Sequence, residues 1–129
     1  MLQAALLWYK KLRKDLEEIG YVFNSYDPCV ANKMINGKQM TVRFHVDDMM
    51  MSHVDSRVND NFLKWLNSKY GEIGEVTCTR GAAHDYLGMT FKFVGREVQV
   101  DMREYVVEML REFPVKFTDN GKVTTPAGI

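Results

Sequence analysis

Two adjacent carboxylates, Asp47 and Asp48, interrupt an otherwise apolar stretch of the sequence. Like charges side by side repel each other, and removing them from water costs further free energy. An apolar hairpin therefore gains no stability from this pair. Hard divalent cations offset the repulsion, because Mg²⁺ prefers oxygen ligands and commonly joins one or two carboxylates to substrate phosphates. Two such ions stabilise the attacking and leaving oxygens of phosphoryl transfer, so the pair indicates a Mg²⁺ or Mn²⁺ site for nucleotidyl transfer.

A polar turn between two strands is the alternative interpretation of the same pair. The apolar residues on either side predict one strand over residues 40–46 and another over residues 49–54. A tight turn at Asp47-Asp48 would display both side chains at the end of a sheet. The residues alone leave the metal site and the plain turn equally open.

The elements that precede the pair are a helix and a strand. Apolar residues recur at helical spacing, and Gly20 follows them as a C-terminal cap. The spaced residues are Ala5, Tyr9, Leu12, Leu16 and Ile19. Turn formers fill residues 21–28, and residues 29–35 are predicted to form a strand. Asn36-Gly37 then predicts a tight hairpin into the next strand, because both positions accept a positive φ.

A second helix is predicted after the pair, with Asp55 or Ser56 as its N-cap and Gly71 at its end. Its apolar stripe consists of Val58, Phe62, Trp65, Leu66 and Tyr70. Residues 75–79 follow as a short strand, which we expect at the edge of a sheet.

Two strands and a helix complete the predicted elements. Residues 86–93 and 96–101 form strands of a hairpin around Val94-Gly95, and a last helix covers residues 102–113 until Pro114 stops it. This order predicts an α+β fold in which a mostly antiparallel sheet carries helices on one face. Residues 115–129 are predicted to be a polar tail, loosely ordered when alone.

The balance of charge limits the function classes. The 129 residues include 17 basic and 17 acidic side chains, which gives a formal net charge of zero. A protein that binds nucleic acid alone usually carries a basic excess, because neutralising phosphates supplies most of its non-specific affinity. If this chain contacts nucleic acid, we expect it to do so as part of something larger.

Cysteine usage and the first residues indicate an intracellular protein without a membrane segment. Cys29 and Cys78 are too few for a disulfide framework, and no signal peptide is visible. The apolar run near the N-terminus ends at Lys10 and is too short to span a bilayer. The histidines and cysteines lack the spacing of a zinc site. Trp8 and Trp65 are interpreted as core residues.

Six segments of the sequence, in order along nearly the whole chain, resemble segments of one polymerase family. They are Gln3-Ala4 with Trp8-Tyr9, Asp27-Pro28-Cys29, Val46-Asp47-Asp48, Asp85-Tyr86-Leu87-Gly88, Tyr105 with the helix around it, and Thr125-Pro126. They are similar to the Q-A-P-R-A-W-Y, D-P-C, Y-V-D-D, F-L-G, Y-x-x-x-L-L and T-P segments of Ty1/copia-type retrotransposon reverse transcriptases. The gaps between them are also similar to those of the family.

The resemblance implies a palm-like partial polymerase domain of an RNA-directed DNA polymerase. Residues 1–114 would be the C-terminal part of the palm and the start of the thumb. Asp47 and Asp48 would be the catalytic ligands of Mg²⁺ or Mn²⁺. Contacts to the primer or other nucleic acid would come from His45, Val46, Gly88 and Gly95, with the hairpin around Gly95 as the primer grip.

The resemblance also implies partners and a location. The complete enzyme would bind an RNA/DNA template-primer and deoxynucleoside triphosphates, and other parts of the polyprotein are candidate partners. It would act in the cytoplasm, inside a virus-like particle, or in the nucleus. No membrane contact is expected.

The sequence departs from the family pattern at three points. Ala5 and Leu6 replace the proline and arginine that follow Gln3-Ala4 in the family. The third palm carboxylate of the family lies upstream of the Q-A-P segment, where this sequence begins, so the chain alone is expected to be inactive. His45 stands where the family has tyrosine, which fits either a tolerated variant or the decay of an unselected copy.

Two other functions remain open. The chain is alternatively a non-enzymatic retroelement remnant, or partner-binding fold, that lacks the third carboxylate. The other alternative is a different two-metal enzyme of the palm type. Its third carboxylate would have to come from within this chain, at Asp27, Asp85 or Asp101.

Overall fold

The computed structural model describes residues 2–113, and the chain divides into two compact units, Met1–Thr79 and Arg80–Ile129. The elements of the first unit, in order, are α1 (Leu2–Glu18), β1 (Val22–Phe23), β2 (Val30–Ile35), β3 (Lys38–His45), β4 (Asp48–Ser52) and α2 (Ser56–Tyr70). Its four strands form one antiparallel sheet in the order β1-β2-β3-β4.

The core of the first unit lies between one face of this sheet and both helices. Alternate residues of β3 point into it, namely Met40, Val42 and Phe44, and all three are buried. They share one cluster with Leu12 and Leu16 of α1 and with Val58, Phe62, Leu66 and Tyr70 of α2. Since both helices pack on this face, the intervening residues of β3 are on the opposite face.

The second unit contains β5 (Ala83–Tyr86), β6 (Met89–Val94), β7 (Glu97–Asp101) and α3 (Arg103–Glu112). The three strands form an antiparallel sheet in chain order. Among its described residues, Tyr86 is the one buried hydrophobic side chain, and α3 buries none. This unit therefore keeps much of its apolar surface exposed.

The predicted α+β class, antiparallel pairing and three helices are confirmed. The N-cap of α2 is Asp55, whose side chain accepts a hydrogen bond from the backbone N–H of Arg57. Asn36 and Gly37 have φ values of 53° and 74°, as a tight hairpin requires. The described strands form two sheets, however, where one was predicted.

Two strand predictions were wrong, and one short strand was not predicted. Residues 75–79 form no strand, and all of them except Val76 are exposed, so they have no apolar face to bury against a sheet. The strand predicted over residues 86–93 is two strands, since Leu87 and Gly88 form a tight turn between Tyr86 and Met89. Residues 21–28 include a short strand, β1, which pairs with β2.

Two predicted turns lie one residue away from their observed positions. His45 pairs with Asp48, so the loop between β3 and β4 is Val46-Asp47, and Asp48 already belongs to β4. This register places Met49 opposite Phe44 and Met51 opposite Val42, so that apolar residues of both strands face the core. Likewise, Val94 pairs with Glu97, which leaves Gly95-Arg96 as the loop.

Pro114 and the predicted tail over residues 115–129 lie outside the described residues. Within residues 2–113, the structure contains no helix that is both long enough and apolar enough to cross a membrane.

Candidate functional site

The β3–β4 hairpin presents the carboxylate pair at its tip. Asp47 is the second residue of the loop, and Asp48 is the first residue of β4, directly opposite His45. Met49 and Met51 pack against the core, so Asp48 and His45 are on the face of the sheet opposite α1 and α2. The side chains of His45, Asp47 and Asp48 are all exposed.

The loop has an unusual backbone conformation at Val46, whose φ is +54°. A β-branched residue rarely adopts a positive φ, and such a residue costs about 1–3 kcal/mol of local strain. The other described non-glycine residues with positive φ are Asn36 and Leu87. Contacts around Val46 must therefore hold the loop in place.

Trp8 supplies one such contact from α1. Its indole Nε1 donates a hydrogen bond of 2.6 Å to the backbone carbonyl oxygen of Val46, 38 residues later in the chain. The indole ring also lies edge-on to the ring of Tyr70, with centroids 5.0 Å apart. Sequence reasoning treated Trp8 as a core residue and missed this role, because no local pattern reveals a partner so distant in sequence.

The neighbouring residue of α1, Tyr9, connects the hairpin to the loop before β2. Its hydroxyl donates a 3.1 Å hydrogen bond to the carbonyl oxygen of Pro28, and its ring lies 5.9 Å from that of Phe44. The backbone N–H of Phe44 in turn donates to the carbonyl of Cys29 at 3.0 Å. Three separate segments thus meet at one end of the sheet: Trp8-Tyr9, Pro28-Cys29 and residues 44–48.

A hydrogen-bonded cluster of three side chains, Lys11, Asp15 and Tyr70, joins α1 to α2. Asp15 is buried, and its carboxylate accepts hydrogen bonds from the hydroxyl of Tyr70 and, at 3.1 Å, from Nζ of Lys11. The hydrogen bond from Tyr70, followed by Lys11, lowers the pKa of Asp15. Burial, followed by the bond to Asp15, raises the pKa of Tyr70. We interpret this group as structural, since every member already has a partner.

Asp47 and Asp48 have the chemistry of divalent-cation ligands. Neither side chain makes a hydrogen bond or an ion pair with another described residue, so their oxygens are available. Two adjacent carboxylates fit part of the oxygen shell that Mg²⁺ or Mn²⁺ requires, with phosphates and water as the usual complement. Across residues 2–113, no group of three or more His, Cys, Asp and Glu side chains is arranged to hold a metal ion.

Gly88 and Gly95 lie at opposite ends of β6, in the turns that precede and follow it. A six-residue strand spans roughly 20 Å, so the structure does not bring these two predicted contacts together. Gly88 has a φ of +73°, and a Cβ there would lie 3.1 Å from Cδ2 of Tyr105. Gly95 has a φ of +59° and open space around it.

No protein-family model, curated protein or solved structure matches this chain.

Proposed function

We propose that this chain is part of an RNA-directed DNA polymerase of the Ty1/copia retrotransposon type, with Asp47 and Asp48 as its metal ligands. The observation that carries the proposal is the meeting of Trp8-Tyr9, Pro28-Cys29 and residues 44–48 at one end of the sheet. These are three of the segments in which the sequence resembles that family. Their proximity in the fold supports the proposal.

The exposure of the carboxylate pair supports a metal-binding role. The pair is exposed at a hairpin tip, on the face of the sheet opposite the helices, with no competing partner among the described residues. A template-primer bound on that face is proposed to contact both carboxylates. The palm-like fold is part of the same proposal.

The reaction is a nucleotidyl transfer. The 3′-hydroxyl oxygen of the primer forms a bond to the α-phosphorus of a deoxynucleoside triphosphate. The bond from that phosphorus to pyrophosphate breaks, and the hydroxyl proton passes to solvent. Divalent ions bound at Asp47 and Asp48 would stabilise charge on the attacking and leaving oxygens.

Four further residues, two in each unit, are proposed to contact nucleic acid. His45, opposite Asp48, is suited to lie beside the primer terminus, and Val46 is suited to form the adjoining surface of the hairpin tip. Gly88 and Gly95 are proposed contacts at two separate points of the primer, since they occupy opposite ends of β6. The enzyme would work in the cytoplasm or nucleus with the other parts of its polyprotein.

Primer extension tests this proposal. The chain would be joined to an upstream palm segment that carries a third carboxylate and assayed with an RNA template, a DNA primer and Mn²⁺. We expect extension that Asp47→Asn/Asp48→Asn abolishes. The matched control, Glu72→Gln/Glu75→Gln, removes two exposed charges from the loop after α2 and should leave extension unchanged. Equal activity of both double variants would refute the proposal.

A partner-binding fold without catalysis is the second candidate, and the second unit favours it. Large apolar side chains are exposed along β7, along α3 and at the C-cap of α3, including Val98, Val100, Tyr105, Leu110 and Phe113. Exposed apolar surface on this scale commonly marks a protein interface. A joined protein that binds Mn²⁺ and template-primer but never extends the primer would favour this candidate.

A further inference from the structure

We propose that Trp8 is a positioning residue for the carboxylate pair, because its indole N–H fixes the loop that presents Asp47 and Asp48. This inference rests on the metal-binding role proposed above for the two aspartates. It adds a residue on α1 that touches neither metal nor substrate and acts on the site through the backbone.

The position of the bond explains how Trp8 would act. The carbonyl of Val46 belongs to the peptide group that joins Val46 to Asp47. A hydrogen bond that fixes this carbonyl therefore also fixes the orientation of the backbone at Asp47. His45 and Asp48 close the strand ladder, which leaves the Val46 carbonyl beyond the last cross-strand pair. The 2.6 Å bond from Trp8 gives that carbonyl a partner. It also restrains a residue whose positive φ is unfavourable for valine.

Contacts with Tyr70 hold the indole ring of Trp8 in one orientation. The ring packs edge-on against Tyr70, and the hydroxyl of Tyr70 is bound to the buried carboxylate of Asp15. Lys11 binds the same carboxylate and lies over the Tyr70 ring, 5.4 Å from its centroid. Both helices therefore hold the donor before any ligand arrives. For comparison, removing a direct hydrogen-bond partner of a metal ligand typically lowers metal affinity by about 10–100-fold.

The test compares two tryptophan-to-phenylalanine variants of the full chain. Trp8→Phe keeps an aromatic ring beside Tyr70 but removes the N–H donor. Trp65→Phe makes the same chemical change on α2, where the ring contacts Phe62 and Tyr70 rather than the loop. We expect Trp8→Phe to weaken Mn²⁺ binding about tenfold while Trp65→Phe leaves it unchanged, at a comparable loss of thermal stability.

A rescue variant separates positioning from general damage. Asparagine adopts a positive φ more readily than valine, so Val46→Asn should restore the loop without the indole donor. Trp8→Phe/Val46→Asn should therefore recover most of the Mn²⁺ affinity that Trp8→Phe loses. Equal Mn²⁺ affinity in Trp8→Phe and Trp65→Phe would overturn the proposal.

A second measurement does not depend on metal. Amide hydrogen exchange at His45 and Asp48, the cross-strand pair that flanks the loop, reports its opening. Faster exchange in Trp8→Phe than in Trp65→Phe is the expected result, and equal exchange would overturn the positioning role. If the wild-type chain fails to bind Mn²⁺, the proposed metal role fails, and the exchange comparison still decides whether Trp8 holds the loop.

Discussion

Tyr70 donates a hydrogen bond from its hydroxyl to the carboxylate of Asp15, 55 residues earlier in the chain, and joins α2 to α1 inside the core. Relative exposures of 6% for Tyr70 and 7% for Asp15 mean that water cannot replace either partner. Because a buried polar group without a partner is costly, each residue depends on the other. The same bond fixes the ring against which Trp8 packs.

Removing the Tyr70 hydroxyl should destabilise the fold. Tyr70→Phe keeps the ring but withdraws the donor from Asp15, which we expect to cost about 1–3 kcal/mol in the free energy of unfolding. Urea unfolding measures this loss. Tyr26→Phe is the control, since Tyr26 is 96% exposed and should change the stability little. Equal stability of the two variants would show that Asp15 does not depend on Tyr70.

The Asp15 carboxylate should make stability depend on pH at the acidic end. Its pKa lies below the ordinary value of 3.8, chiefly because Tyr70 donates to the charged form. A carboxyl with a lowered folded-state pKa stabilises the protein fully above its unfolded pKa, and this contribution is lost as pH falls through the folded pKa. Wild type should therefore lose more stability than Asp15→Asn when the pH falls from 6 to below about 4. Parallel curves of unfolding free energy against pH would contradict this linkage.

Relief of strain at Val46 should stabilise the chain. Val46→Asn replaces a β-branched residue at a φ of +54° by one that tolerates this conformation, so we expect a gain of about 1 kcal/mol. Thermal unfolding measures the gain. Val54→Asn is the control, because Val54 is 79% exposed and does not have a positive φ. A Val46→Asn protein no more stable than Val54→Asn would show that the loop stores no strain.

Alanine substitutions at two glycines of the second unit distinguish the free-energy cost of backbone strain from that of steric crowding. Gly95→Ala should cost about 1 kcal/mol, because its positive φ is unfavourable for alanine while its surroundings are open. Gly88→Ala carries the same strain and also crowds the Tyr105 ring, so it should cost more. Amide exchange at Tyr86 and Met89, which flank the Gly88 turn, gives the local opening free energy of Gly88→Ala.

The corresponding measurement for Gly95→Ala uses the amides of Val94 and Glu97. Adding Tyr105→Ala to Gly88→Ala should remove the excess cost and leave only the backbone strain. An equal cost of the two single substitutions would mean that Tyr105 yields freely and that crowding plays no part.

Local signals in the sequence predicted most elements of the first unit. Helical spacing identified α1 and α2, and Asn36-Gly37 identified the β2–β3 hairpin, since each depends on nearby residues alone. The strand predicted over residues 86–93 failed because its apolar run continues through a turn, and Leu87 gives no sign of its positive φ. The loop at Val46-Asp47 was misplaced by one residue because the register depends on pairing with the core face.

In the candidate site, too, features that depend on neighbouring residues were predicted from the sequence, and contacts between distant residues were not. Asp47 and Asp48 stand out in the sequence because two carboxylates between apolar strands have no structural benefit. The bond from Trp8 to Val46 and the bond from Tyr70 to Asp15 join residues 38 and 55 positions apart, so only the folded chain reveals them.

The most direct test of the proposed metal site is a calorimetric titration of Mn²⁺ into the full chain. Three proteins would be compared: wild type, Asp47→Asn/Asp48→Asn and Glu72→Gln/Glu75→Gln. We predict saturable binding by wild type and by the glutamate double variant, and loss of that binding in the aspartate double variant. Binding that survives the loss of both aspartates, or wild type that binds no Mn²⁺, would contradict the role assigned to Asp47 and Asp48.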